Sequence, residues 1–198
     1  MPATRIVSTT AGPVEIVHAL GPRPPVLILP GGQCSAAVDH GQSLYAEAGH
    51  EAIAISGPGC GAKRVGALTS AEFIPLAREV CEHLGLAVFG AAVGVSFGGL
   101  QAVHTVRDSG LGIRRLVLHS CAASALPFPV TRATTIGGRL AFLPVVQGAV
   151  WGLVHRMARS DSGLRRMLAP LSRPPIAESW SQLSAADRTT SRELFRAM

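Results

Sequence analysis

Along the first 120 residues, apolar positions come in short blocks whose spacing switches between the strand and helix periods. Residues 4–9 and 14–20 read as two strands, and Ala11-Gly12-Pro13 turns them into a hairpin. Val26-Leu27-Ile28-Leu29 is an unbroken apolar run ending in Pro30-Gly31-Gly32, the texture of a strand buried on both faces. Residues 36–48 suit a short helix, and residues 51–55 form the next strand. Thr69 and Glu72 fit a capping box. Phe73, Leu76, Val80 and Leu84 then recur on one helical face that Gly85 closes. Residues 90–95 predict a strand of small and β-branched residues, residues 97–108 a helix, and residues 115–119 another buried strand.

After the hairpin, strand and helix alternate. This pattern predicts an α/β fold with a mostly parallel sheet covered by helices on both faces. Beyond Ser124 the texture changes to Arg, Leu, Pro and Ser without strand signals. The reading divides the chain into an α/β core, residues 1–125, and a helical lid or cap, residues 126–198. The longest apolar stretch, residues 140–154, contains Pro144 and Gln147. It is shorter than the roughly 18 residues a membrane span needs, so it reads as lid or buried helix.

Charge sharpens this division. Residues 1–125 balance 8 Lys/Arg against 8 Asp/Glu, whereas residues 126–198 carry 10 Arg and 4 acids and hold the whole net charge of +6. Without interleaved aromatics, the Arg-rich part reads as a solvated helical face and not as a nucleic-acid surface. Apolar residues are 47% and charged residues 15% of the chain, a composition that excludes disorder. Cys34, Cys60, Cys81 and Cys121 stand far apart, with neither zinc spacing nor a disulfide framework. No apolar signal segment follows Met1. A cytoplasmic protein with reduced thiols is the expectation.

The candidate chemistry lies in Gly94-Val95-Ser96-Phe97-Gly98-Gly99, placed between an apolar strand and a helix. A sharp strand-to-helix turn lifts a serine hydroxyl above the sheet and strains its backbone. Gly94 and Gly98 then leave the room that side chains would fill. Free N–H groups at the start of the following helix favour a developing oxyanion.

These motifs resemble the α/β-hydrolase superfamily. Pro30-Gly31-Gly32 resembles its His-Gly-x oxyanion turn, with Pro30 in place of His. Ser56-Gly57-Pro58-Gly59-Cys60-Gly61 resembles its Asp-x-x-Gly-x-Gly turn, with Ser56 in place of Asp. The motifs occur in the family's order over residues 4–122. The resemblance implies an esterase-like serine hydrolase with Ser96 as nucleophile and the backbone N–H groups of Gly32 and Phe97 as oxyanion donors. It implies no metal or organic cofactor. The apolar residues 142–154 suggest a small apolar acyl-type substrate.

In that family the acid and base follow the lid. Here Met198 falls inside what reads as a lid helix begun by Ser184 and Asp187. The expectation is a chain truncated before the last strands, without the triad Asp and His. His119, at the end of a strand beside the nucleophile strand, and His40, after the oxyanion turn, are surrogate-base candidates; His104 reads as packed against the sheet. The alternative is a non-catalytic fragment or half-protein. The strand at residues 115–119 would then be an open edge for self-association or a complementing segment. A nucleotide-binding reading of Gly57-Pro58-Gly59-Cys60-Gly61-Ala62 is disfavoured. That fingerprint opens directly into a helix, whereas residues 63–68 read as a loop.

Overall fold

A computed structural model describes residues 3–32, 34–61, 65, 68–121, 144–172 and 174–197. Two compact units result, Met1–Leu126 and Pro127–Met198. The predicted domain boundary near residue 125, the start of the apolar stretch at 140–143 and most of the loop at 63–68 lie outside the described residues.

In the first unit, β1 (Thr4–Thr9) pairs antiparallel with β2 (Gly12–Ala19). The hairpin turns at Gly12, whose φ of 123° is a conformation open to glycine. β2 continues antiparallel onto β4 (His50–Ile55), and β4 pairs in parallel with β3 (Arg23–Leu29). After the short β5 (Val88–Phe89) come β6 (Ala91–Val95), the short β7 (Gly112–Ile113) and β8 (Leu116–His119). β6 pairs in parallel with β3 and β8, giving the order β1-β2-β4-β3-β6-β8.

Alternation along the strands sorts the core into two layers. Leu27, Leu29, Ile53 and Ile55 face α2 (Ser70–His83) and α3 (Gly98–Asp108), where Phe73, Leu76, Val80 and Ala102 meet them. Val26, Ile28, Ala52, Ala54 and Val93 face the other way, toward Ala36 and the half-buried Tyr45 and Ala46 of α1 (Gln42–Glu47). Burying each of the Val, Leu, Ile and Phe side chains stabilises the fold by about 1.5–3 kcal/mol, an upper bound set against an extended chain.

The capping box forms as predicted. Thr69 accepts from the Glu72 N–H at 3.3 Å, and Glu72 accepts from the Thr69 N–H at 2.8 Å. Gly85, at φ 72°, follows the end of α2. The helix predicted over 36–48 is shorter than expected. Only 42–47 are helical, because Gly41 adopts φ 104° and the segment before it makes other bonds. The buried Gln42 side chain donates to the carbonyls of Ala36 at 2.9 Å and Val38 at 2.6 Å, and Asp39 accepts from the Gly41 N–H at 2.9 Å.

The second unit is helical where described: α4 (Pro144–Met157), α5 (Asp161–Leu168), a 3-10 turn (Ala169–Leu171), α6 (Ile176–Gln182) and α7 (Ala185–Ala197). Ala158, Leu164 and Trp180 form its small core, and the Arg188 guanidinium lies 5.6 Å from the Trp180 ring centroid. Ser184 and Asp187 cap α7 by exchanging hydrogen bonds of 3.1 Å to each other's backbone N–H groups.

Candidate active site

Ser96 occupies the turn between β6 and α3 with φ 53°, a left-handed conformation that few non-glycine residues adopt. Its N–H donates to the His119 carbonyl at 3.1 Å, and its own carbonyl accepts from the Gly99 N–H at 3.1 Å. The turn is tight because glycines let three backbones meet. A Cβ on Gly94 would lie 2.5 Å from Gly99 Cα, and one on Gly98 would lie 2.1 Å from the Leu29 carbonyl oxygen. Gly98 and Gly99 thus let α3 begin directly against β3 and β6.

The Gly31-Gly32 turn rests on the same point. A Cβ on Gly31 would lie 3.2 Å from Ser96 Cβ and 3.8 Å from its Oγ, while one on Gly32 would meet the Phe97 ring at 3.0 Å. The structure therefore brings Gly32, Ser96 and Phe97 together. Among the described residues, neither the Gly32 nor the Phe97 backbone N–H has an acceptor, and no side chain hydrogen-bonds the Ser96 hydroxyl. A cleft of about 70 Å³ opens beside them, lined in part by Gly31, Gly32, Gly57, Cys60, Phe97 and Gln101. Phe97 is 59% exposed.

The second flank of the cleft is the turn after β4, where Gly59 and Gly61 take φ of 75° and 84°. It is tied to the segment that follows the Gly31-Gly32 turn by buried side chains. Ser56 Oγ accepts from the Ala36 N–H at 2.7 Å and donates to Glu15 Oε1 at 2.9 Å. Cys34, on the first flank, is buried, and desolvation together with the nearby Cys60 pushes its thiol up to about 11.

The surrogate-base candidates are placed differently. His119 ends β8 level with Val95 and is exposed. Its neighbour Leu118 comes 3.7 Å from a Cβ on Gly99, at the α3 face, so strand alternation puts the His119 side chain on the opposite face. His40 lies ahead of α1 and does not line the cleft. Its Nε2 is buried without a partner among the described residues, and desolvation lowers its pKa. His104 does not pack on the sheet as expected. It is half-buried on α3, 3.2 Å from both Asp108 and Arg107, because the helix turns it away from the buried Ala102 and Thr105.

Sequence reading gave Glu15, Ser120 and Cys121 no role at the site. Glu15 carried a signal, a lone acid in an apolar strand, but its partner stands 41 residues away. Ser120, at φ 49°, is the other non-glycine residue at positive φ among the described residues, and it follows the strand beside the Ser96 strand. No sequence pattern marks it. Among the described residues no group of three His, Cys, Asp or Glu side chains could hold a metal ion, and no helix is long and apolar enough to cross a membrane.

No family model matches the chain, and no curated protein matches it. Solved structures do. An α/β hydrolase fold protein from Nakamurella multipartita superposes with a TM-score of 0.65 at 22% identity, covering 98% of this chain and 68% of its own. Naproxen esterase (carboxylesterase NP) from Bacillus subtilis gives a TM-score of 0.65 at 16% identity, and this chain spans 60% of its length. An N-acyl homoserine lactonase gives 0.60 at 20% identity, matching 100% of this chain and 68% of that one. At such identities the likeness speaks to the fold, and over nearly its whole length this chain has the α/β-hydrolase fold.

Proposed function

We propose that this chain carries the nucleophile half of a serine hydrolase acting on an ester or similar acyl bond, with Ser96 as the nucleophile. The observation that carries the reading is the positive φ of Ser96 at the end of a parallel strand, with Gly31 packed against its side chain. Strained backbone of this kind clusters at functional sites.

In this mechanism Ser96 Oγ attacks the acyl carbon as a base removes its proton. The carbonyl oxygen takes up the negative charge. Backbone N–H groups of Gly32 and Phe97, free of protein acceptors among the described residues, would bind that oxygen. Collapse expels the alcohol, which takes back the proton, and leaves an acyl-Ser96 ester. Water then hydrolyses the ester and restores the hydroxyl. Loss of one oxyanion donor costs about 3–4 kcal/mol of transition-state stabilisation in comparable sites. Residues 126–198 would serve as the lid over an apolar acyl group.

A second reading is favoured by two features. No imidazole or carboxylate among the described residues hydrogen-bonds Ser96, and the outer edge of β8 has no partner strand among them. In that reading the chain is a half-protein that becomes active when a segment bearing the base and acid docks along β8.

Labelling with a fluorophosphonate probe tests both. The Ser96 oxygen displaces fluoride from phosphorus and its proton passes to solvent. Labelling of the folded chain that is lost in Ser96→Ala supports an activated serine in this chain. Absence of labelling in a folded chain removes the first reading and leaves the second.

A further inference from the structure

Resting on the serine-hydrolase reading, we propose that Glu15 and Ser56 are positioning residues that hold the oxyanion turn against Ser96. The resemblance puts an acid at position 56, yet this chain has serine there. The structure supplies a carboxylate at the same place from a neighbouring strand. β2 and β4 pair with Ile16 opposite Ile55, so the next pair along is Glu15 opposite Ser56. The Ser56 N–H donates to the Glu15 carbonyl at 2.9 Å, which fixes the two backbones. Above that bond the Ser56 hydroxyl donates to Glu15 Oε1 and accepts from the Ala36 N–H, at 2.9 and 2.7 Å. Glu15, Ser56 and Ala36 are 4%, 3% and 0% exposed.

The direction of this chain matters. A hydroxyl that donates to a carboxylate is polarised and becomes a better acceptor, so the carboxylate strengthens the hold on Ala36 from two bonds away. Ala36 lies two residues beyond the turn that begins at Gly31, which the Cys34 N–H closes by donating to the Gly31 carbonyl at 3.3 Å. The hold on Ala36 is thereby passed to Gly31 and Gly32, the residues packed against Ser96 and Phe97. Room for the carboxylate is also built in. Gly61, at φ 84°, leaves open a position where a Cβ would lie 2.8 Å from Glu15 Oε1. The turn after β4 closes over the carboxylate, and that turn is the other wall of the cleft.

The experiment compares wild type, Ser56→Ala, Glu15→Gln and the double variant Glu15→Gln/Ser56→Asp. The double variant returns one carboxylate to the position the resemblance expects. Two quantities are read on the full chain: the rate of fluorophosphonate labelling, and amide exchange over residues 30–38. The proposal expects Ser56→Ala to label about 10–100-fold more slowly, the order of effect of a displaced oxyanion donor. Residues 30–38 should exchange faster in that variant while the rest of the sheet is unchanged. The double variant should recover both properties. Wild-type labelling and exchange in Ser56→Ala would overturn the proposal, as would failure of a folded double variant to recover either. If Ser56→Ala does not fold, Glu15→Gln takes its place, with slower labelling expected and recovery on adding Ser56→Asp. If wild type itself does not label, activation of Ser96 by this chain alone is ruled out. Exchange at 30–38 then decides the positioning role alone: faster exchange in Ser56→Ala sustains it, and unchanged exchange ends it.

Discussion

Cys121 sits in the slot that Gly99 leaves open. Its Sγ lies 2.3 Å from where a Gly99 Cβ would be, and it donates to the Gly94 carbonyl at 3.0 Å. The positive φ of Ser120 directs the chain back at this point. Cys121 is thereby held against the first turn of α3 and the end of the Ser96 strand. Gly99→Ala should destabilise the protein by about 1–3 kcal/mol, the usual cost of overpacking. Cys121→Ala in the same chain should return part of that loss, because the two side chains compete for one space. Urea unfolding of both single variants and the double measures the coupling, and strict additivity would show that the contact is not the source of the cost.

His40 predicts a pH dependence of stability. Burial lowers its folded pKa, an effect that the Asp39 charge and a Ser35 backbone bond oppose in part. The unfolded histidine takes up its proton near the ordinary value of about 6.5, and the folded one only at lower pH. Between those two points the unfolded state binds more protons, so stability falls as the pH falls through that window and is level above it. His40→Gln should flatten this segment of the curve. Unfolding midpoints at stepped pH values from neutral downward test it, and an unchanged slope in the variant would assign the effect to another group.

Thiol reactivity should divide the cysteines. Burial pushes Cys34 up to about 11 and Cys81 up to about 12, so neither forms thiolate near neutral pH. Cys60 and Cys121 are partly exposed. Alkylation of the native protein followed by peptide mass analysis should find modification at Cys60 or Cys121 long before Cys34 or Cys81. Early modification of Cys81 would mean that α2 opens from the sheet.

The apolar edge of the sheet predicts self-association. All four residues of β8 are exposed, with Leu118 at 51%, and no strand pairs with its outer side among the described residues. Val117→Lys places a charge on that edge, a device by which natural edge strands resist pairing. Sedimentation at rising concentration should show wild type forming dimers or larger species and the variant shifted toward monomer. Equal behaviour would place the association elsewhere.

Much of the core was legible because its elements are specified locally. The apolar run at Val26–Leu29 needs no partner to read as a buried strand, and Thr69 with Glu72 announces a helix start within four residues. The Ser96 turn was legible for the same reason, since Gly94 and Gly98 are demanded by close backbone approach. What stayed hidden depends on contacts far apart in sequence. Residues 36–41 have helix-compatible composition, but Ser56 and Gln42 claim their backbone groups, and Gly41 breaks the run. The partner of Glu15 and the strain at Ser120 exist only once the strands are assembled.

The free edge of β8 also has a polarity. β8 runs parallel to β6, so both strands finish at the rim where Ser96 and Ser120 lie. A strand that extends the sheet in the same sense would end at that rim too, delivering the residues after it next to Ser96. Two copies joined by a two-fold axis through this edge would instead pair antiparallel, with their Ser96 rims at opposite ends of one continuous sheet. The direction in which the edge is filled therefore decides whether association supplies chemistry to Ser96 or only shields an apolar strand.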